Sequence, residues 1–221
     1  MIAAAMPHPD AASPLVSLFA GLGSPFGGDA EPLAEPEIAR LVEQARAGDS
    51  GARQALYAQH VDRVFRTVRG MLRSDADAED ATQDAMLTVL TSLHKYTPRA
   101  DARFAAWVMT IAVNTVRRRF RRRRPELTAT GELPDTPDAG HDPVDDLDRA
   151  QRRRALLVAL ADLNERERAI VSLRYGAELN ASEIGTTVGI EPATVRKILE
   201  RARTRLGARV DELLSPGGGT R

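Results

Sequence analysis

Residues 104–124 read FAAWVMTIAVNTVRRRFRRRR, an apolar segment that continues directly into a block of arginines. Wound as an α-helix, the segment places its apolar side chains on two adjacent faces and leaves one narrow polar stripe. The pattern predicts a core helix that presents hydrogen-bonding and cationic groups to an anionic partner. The stripe consists of Thr110, Asn114, Arg117 and Arg121.

The arginine block favours nucleic acid as that partner. Seven of the eight residues from 117 to 124 are arginine, and so dense a block of like charge repels itself unless phosphates neutralise it. The alternative is an ordinary core helix whose basic C-terminal end is stabilised by the helix dipole.

Composition limits the other function classes. The 221 residues carry 31 basic and 31 acidic side chains, so local charge is more informative than the net charge of zero. The chain has no cysteine, which excludes disulfides and cysteine zinc sites. No apolar run approaches the ~20 residues that a membrane span needs. We therefore expect a cytoplasmic protein without membrane insertion.

Helical periodicity predicts an all-α protein with two small domains joined by a flexible acidic linker. The leader, residues 1–36, is rich in Ala, Pro and Gly and is expected to be disordered. Residues 37–124 form the first domain. Residues 125–148 form the linker, which has eight carboxylates, four prolines and no Arg or Lys. Residues 149–214 form the second domain, and residues 215–221 form a disordered tail.

The second domain ends in a predicted helix-turn-helix, with Gly189 at the turn and Pro192 at the first position of the second helix. A basic outward face on the second helix is typical of major-groove recognition, and a plain helical hairpin is the alternative. The outward residues are Arg196, Lys197, Glu200 and Arg203.

A cluster of carboxylates at the start of the third predicted helix permits two interpretations. Because no histidine accompanies the carboxylates and their spacing matches no ligand loop, we expect no metal site. Asp80, Gln83 and Asp84 share one helical face, which favours a protein-binding surface. No catalytic residue and no cofactor is expected. The carboxylates are Asp75, Asp77, Glu79, Asp80 and Asp84.

The loop of residues 94–103, HKYTPRADAR, lies between this acidic helix and the arginine-rich helix. It combines Tyr96 with Arg99 and Arg103 beside the polar stripe. Aromatic stacking and phosphate contacts side by side are typical of single-stranded nucleic acid binding.

These residues carry a family resemblance. DAEDATQD, then a loop, then FAAWVMTIAVNT and a basic run resemble the promoter-melting domain of bacterial extracytoplasmic-function (ECF) sigma factors. The resemblance implies that Asp80, Gln83 and Asp84 bind the polymerase β′ clamp helices. It also implies that the loop and the following helix capture flipped bases of the −10 element. The −10 candidates are Tyr96, Arg99, Arg103, Thr110, Asn114, Arg117, Arg118 and Arg121.

The second domain resembles the −35-reading domain of the same family. The resemblance is carried by LNERERAIVSLRYG, followed by ASEIG and PATVR. Family members often have Ser-Arg where this chain has Lys197-Ile198, so −35 binding is expected with a sequence preference of its own. The −35 candidates are Thr194, Arg196, Lys197, Glu200, Arg201 and Arg203.

We therefore expect a non-catalytic, dissociable sigma subunit that binds the β and β′ subunits of core RNA polymerase and promoter DNA. The resemblance further implies a path for the acidic linker through the polymerase channels and an anti-sigma factor as a possible partner. One alternative is a free-standing helix-turn-helix regulator that binds DNA without polymerase. Another is a metal-dependent nuclease built on the acidic cluster.

Overall fold

The computed structural model describes residues 14–27, 31–100, 102–123 and 143–215. These ranges form nine α-helices, a 3₁₀ turn at Leu93–Lys95 and no β-strand, which confirms the all-α prediction. The helices are α1 Pro14–Ala20, α2 Glu35–Arg46, α3 Ser50–Met71, α4 Asp75–Thr91, α5 Phe104–Arg123, α6 Pro143–Ala161, α7 Glu165–Tyr175, α8 Ala181–Val188 and α9 Pro192–Leu214. None of these helices is long and apolar enough to cross a membrane.

The first domain consists of α2 to α5. Asp49 caps α3 by accepting a hydrogen bond of 2.9 Å from the backbone of Ala52, and Ser74 caps α4. A side-chain acceptor at this position satisfies one of the free N–H groups of a helix start. The central helix of the domain, α3, packs against α2, α4 and α5. The side chains that fill the core include Val42, Leu56, Val64, Met86, Val89, Phe104, Met109 and Val113.

The second domain consists of α6 to α9 and contains the predicted helix-turn-helix at α8 and α9. Asn180 and Glu183 form a capping box that starts α8. Gly189 ends α8 at φ 76°, a left-handed conformation that glycine adopts without steric cost. Pro192 lies in the first turn of α9, where its missing N–H is not needed. These local signals explain why α9 starts at Pro192, as the sequence predicts.

The prediction of a disordered leader is wrong for residues 14–27. Helix α1 and the following turn bury Leu15, Phe19 and Leu22 against the second domain. Composition alone indicated disorder because the segment is too short to bury these side chains by itself. Residues 1–13 and 28–30 of the predicted leader lie outside the described residues, and α2 starts at Glu35, within the predicted leader.

The boundary of the predicted linker also changes. Helix α6 begins at Pro143, so residues 143–148 belong to the second domain. Proline is favoured in the first turn of a helix, and aspartates near a helix start are stabilised by its dipole. Pro143, one of the four prolines that suggested an extended segment, therefore suits a helix start. Residues 124–142 of the predicted linker, and residues 216–221 of the predicted tail, lie outside the described residues.

The two domains pack against each other through α3 and α7, where the sequence predicted two domains on a flexible tether. A Cβ atom added to Gly70 would lie 2.5 Å from Ser172 Oγ, and one added to Gly176 would lie 3.0 Å from the backbone of Thr67. Glycine on both sides therefore permits the close approach. Apolar residues of α7 and α8 join the core of the first domain, among them Ile170, Leu173 and Ile184.

Candidate nucleic-acid and partner-protein interfaces

The acidic face of α4 lies exposed at the side of the first domain. Gln83 is exposed, and the side chains of Asp80 and Asp84 are 69% and 58% exposed. Arg119 of α5 reaches this face and donates a hydrogen bond of 2.5 Å to Asp84 Oδ2. Its guanidinium also lies 3.7 Å from Asp80 Oδ2. One arginine of the basic block is therefore directed to α4 and away from the polar stripe.

Leu87 extends the acidic face with an apolar contact. Its side chain is 65% exposed, and it follows Gln83 by four residues and Asp84 by three, so the three share one helical face. The sequence analysis did not include Leu87 among the candidate residues. The signal that could have identified it is its spacing from the polar residues of the same face.

A metal site is not formed by the acidic cluster. The described residues contain no group of three or more His, Cys, Asp and Glu side chains that could hold a metal ion. Asp75 instead pairs with Arg69 and accepts a hydrogen bond of 2.9 Å from Arg153. Asp75, Asp80 and Asp84 of the cluster are thus paired with arginines.

The polar stripe of α5 divides into two parts. Asn114 and Arg121 are exposed, as is Arg118 beside the stripe, and Arg117 is half-buried. Thr110 is also half-buried, and its hydroxyl donates to the carbonyl of Ala106 at 2.9 Å. The same hydroxyl lies 3.4 Å from Thr187 Oγ1 of α8. Only the C-terminal part of the stripe is open to a ligand.

The loop before α5 presents an aromatic cluster. Tyr96 is half-buried, with its ring edge-on to Phe104 at 4.9 Å and 5.2 Å from Trp107. Burial raises the pKa of the Tyr96 phenol, so the side chain stays neutral near pH 7. Trp107 is half-exposed beside it and packs against the core of the first domain. Arg99 is exposed on the same loop.

Arg103 does not lie free beside the stripe. Its Nε and Nη2 donate to the two carboxylate oxygens of Glu183 at 2.8 and 2.9 Å, and Nη2 also donates to the carbonyl of Glu178 at 3.0 Å. This bidentate pair joins the loop to α8. Burial alone would raise the pKa of the Glu183 carboxyl, but hydrogen bonds from Arg103 and the Asn180 backbone hold it below its ordinary value.

The recognition face of α9 is open. Val195, Ala202 and Leu206 are buried against the rest of the second domain. This anchors the helix and turns the opposite face to solvent. The −35 candidates all lie exposed on that face or its edges: Thr194, Arg196, Lys197, Glu200, Arg201 and Arg203.

Comparison with known proteins matches this arrangement domain by domain. Residues 56–126 match the family model for Sigma-70 region 2, and residues 159–207 match the one for Sigma-70, region 4. The RNA polymerase sigma factor CarQ of Myxococcus xanthus is 34% identical over 172 residues, which cover 78% of this chain and 97% of CarQ. The ECF RNA polymerase sigma factor BldN of Streptomyces coelicolor is 32% identical over 175 residues, which cover 77% of this chain and 66% of BldN.

This chain belongs to the ECF family of RNA polymerase sigma factors. Sigma factors are non-catalytic initiation factors that bind core RNA polymerase and promoter DNA. A solved structure of CnrH in complex with the cytosolic domain of CnrY shares the fold at a TM-score of 0.57 and 23% identity, covering 78% of this chain and 96% of that chain. The first domain of this chain corresponds to sigma region 2 and the second to sigma region 4.

Proposed function

We propose that this sigma factor binds core RNA polymerase through the acidic face of α4 and reads the two promoter elements with two separate helices. The exposed face of α9 contacts the −35 element, and the exposed part of the α5 stripe captures the −10 element. The observation that supports the proposal is that the first matched domain presents an exposed acidic face on α4 and a partly exposed polar stripe on α5, and the second presents an exposed basic face on α9. The polymerase supplies the chemistry of transcription. Because the factor acts on the polymerase, we propose a cytoplasmic location for it.

At the −10 element, the side chains of the α5 stripe have different roles that follow from their chemistry. The Asn114 amide can donate and accept, as discrimination of a base edge requires, whereas Arg117, Arg118 and Arg121 are cations suited to phosphates. The aromatic cluster around Tyr96 offers a stacking surface for an unpaired base. Unstacking a base costs a few kcal/mol, which the contacts with promoter and polymerase offset.

At the −35 element α9 enters the major groove. Arg196 and Arg201 can donate two hydrogen bonds to a guanine edge, and Glu200 can accept from cytosine. Thr194, Lys197 and Arg203 lie on the same exposed surface and supply phosphate or base contacts. The −35 preference of this chain then depends on Lys197 as much as on the arginines.

The polymerase contact involves Asp80, Gln83 and Asp84, with the β′ subunit as the partner. Leu87 supplies the apolar centre that polar rims usually surround in protein interfaces. The second domain and the linker are proposed to contact the β subunit and the polymerase channels. An anti-sigma partner stays a prediction of the family resemblance.

The test is charge reversal on α4. Asp80→Arg/Asp84→Arg should weaken binding to core polymerase by about 100-fold, within the range for charges lost from an interface. Affinity is measured by fluorescence anisotropy of labelled protein, with circular dichroism to confirm the helical content.

The matched control is Arg119→Ala, which removes the guanidinium that pairs with both carboxylates but keeps the carboxylates themselves. It should bind polymerase at least as tightly as the parent chain. Unchanged affinity in the double reversal would overturn the assignment of this face. Tight binding to duplex promoter DNA without polymerase would instead favour the free-standing regulator.

A further inference from the structure

We infer that residues 14–27 of the leader form an internal clasp that holds the two domains closed, with the second domain covering part of the −10 surface. The inference rests on the proposed function for the identity of the covered surface. The clasp itself stands on the contacts of the leader, which the sequence analysis expected to be disordered.

One half of the clasp lies in the second domain. Leu15, Phe19 and Leu22 are buried among apolar residues of α6, α7 and α9, and Phe19 is fully buried. The ring centroids of Phe19 and Tyr175 are 5.9 Å apart. The spacing of four and three residues places all three side chains on one face. This part of the leader docks like an additional short helix of the second domain.

The other half of the clasp lies on the first domain. The Ser24 hydroxyl donates a hydrogen bond to the Asp62 carboxylate of α3. Two residues later, the Phe26 ring packs edge-on against Phe65 of α3, with centroids 5.9 Å apart. A single segment of 14 residues therefore binds both domains, so their separation must break contacts on one of its two halves.

The point where the clasp meets both domains is Gly70 of α3. A Cβ atom at this position would lie 2.5 Å from Ser172 Oγ of α7 and 3.1 Å from Cε1 of Phe19. Leader, first domain and second domain thus converge on a place with no room for a side chain. Close packing of this kind is sensitive to the addition of even one methylene, which makes Gly70 a position where a wedge can be inserted.

The closed arrangement covers the N-terminal part of the proposed −10 surface. Helix α8 lies against α5, where Glu183 holds Arg103 and Thr187 meets Thr110. The Glu183 side chain is 1% exposed and the Arg103 side chain 40% exposed. A DNA phosphate and the Glu183 carboxylate therefore compete for the same guanidinium. Asn114 and the stripe beyond it stay open in both arrangements.

Domain separation can be measured directly because the chain has no cysteine of its own. Ala76→Cys on α4 and Ala208→Cys on α9 place spin labels at two exposed positions, one in each domain. Pulsed electron paramagnetic resonance on the full chain should give one narrow distance distribution. In this background, Phe19→Ala should broaden the distribution and extend it to longer distances, whereas Ser17→Ala, an exposed position on the same short helix, should not.

The wedge variant tests the same junction without changing the leader. Gly70→Leu should lengthen and broaden the distances in the same way. Gly207→Leu is its control, because a Cβ atom at Gly207 of α9 meets no heavy atom within 4 Å. Circular dichroism shows whether each variant keeps its helices. Distances that stay narrow and short in both Phe19→Ala and Gly70→Leu would overturn the clasp.

The same variants measure what the closed state covers. Binding of a fluorescent random-sequence single strand of about 12 nucleotides should tighten about tenfold in Phe19→Ala and Gly70→Leu, since the open state is a minor population of the parent chain. Longer distances together with tighter binding support both inferences. Longer distances with unchanged binding would support the clasp and overturn the −10 assignment of Arg103 and Thr110 under the proposed function.

Discussion

The two proposed DNA-reading helices differ in how much of their polar surface the rest of the molecule covers. The recognition face of α9 is exposed along its length, whereas the −10 surface on the loop and α5 is partly engaged by the second domain. Arg103 and Thr110 already have protein partners, and Asn114, Arg118 and Arg121 do not share those contacts. The proposed −35 surface is exposed in the free chain, whereas the second domain covers the N-terminal part of the proposed −10 surface at Arg103 and Thr110.

The difference has a physical origin in where each surface lies. The recognition face belongs to the last helix of its domain, which is anchored by a single apolar face. The polar stripe belongs to a helix whose two apolar faces are buried in the core. Because α8 of the second domain packs against this helix, the stripe lies close to the second domain. We therefore expect −35 contacts to be available before −10 contacts.

The strongest test of this difference is Asn114→Ala. In the holoenzyme we expect the free energy of open-complex formation to become less favourable by about 2 to 3 kcal/mol, the upper range for loss of a base-edge contact. The defect should depend on the −10 sequence and should leave upstream binding largely intact. Permanganate footprinting of melted thymines measures it.

Stability separates this role from a structural one. Asn114 is exposed in the middle of α5, where alanine is the better helix former. The melting temperature of Asn114→Ala should therefore stay level or rise. Normal promoter melting together with a lower melting temperature would show that Asn114 is a structural residue and that the stripe does not capture bases.

The second prediction concerns the core beneath the covered surface. His60 of α3 is buried against the Phe104 ring, and within the described part of the chain neither of its ring nitrogens has a hydrogen-bond partner. Burial, with a smaller effect of Arg63, lowers the pKa of His60 to about 3. The folded state thus keeps His60 neutral, while the unfolded chain takes up a proton below pH ~6.5.

Because the unfolded state binds the extra proton, the free energy of unfolding must decrease as the pH is lowered through this window. Between pH 7.5 and pH 5 we expect a loss of about 2 kcal/mol, measured by urea denaturation. His60→Leu should remove most of this pH dependence. A parent chain and variant with the same pH profile would contradict the burial of a neutral imidazole. The sequence of the second domain, residues 143–215, contains no histidine.

The third prediction addresses the open surface. Arg196→Ala should weaken −35 recognition by about 1 to 2 kcal/mol and non-specific binding by less, because a base-edge contact is lost. The effect should be visible in gel-shift titrations of the holoenzyme with wild-type and scrambled −35 elements. Equal losses on all sequences would make Arg196 a phosphate contact and assign specificity to Lys197, Glu200 or Arg201.

Sequence could predict what is local in this molecule. Ser74 marks a helix start by its side-chain acceptor, and Gly189 and Pro192 mark helix ends by their backbone conformation. The polar stripe of α5 follows from spacing alone. The same reasoning placed Arg196, Lys197, Glu200 and Arg203 on the outward face of α9, and all four are exposed. These features depend on neighbours within one or two helical turns.

The missed features depend on distant partners. The Arg103–Glu183 pair joins residues 80 apart, and nothing in either local sequence indicates the other. The leader has an apolar face at Leu15, Phe19 and Leu22. Its helix is stabilised because this face packs against apolar residues of the second domain. A single sequence shows the amphipathic pattern and does not show the surface that it packs against.

The smallest expected effect lies at the basic end of α5. Arg117→Ala/Arg121→Ala should weaken holoenzyme binding to every promoter alike, since phosphate contacts carry no base information. The slope of log affinity against log salt should become shallower by about one to two units, at roughly 0.7 to 0.9 per lost phosphate contact. A salt titration by fluorescence anisotropy measures this slope.

Arg119→Ala is the control within the same block of arginines. Its guanidinium is directed to Asp84 and Asp80 of α4, so it is not placed to contact a phosphate bound along the stripe. Removing it should leave the salt slope unchanged, although the net charge falls by one unit as in each single stripe variant. If Arg119→Ala changed the slope as much as Arg117→Ala or Arg121→Ala alone, the whole basic block would act as a diffuse positive field. The stripe would then have no phosphate-binding role of its own.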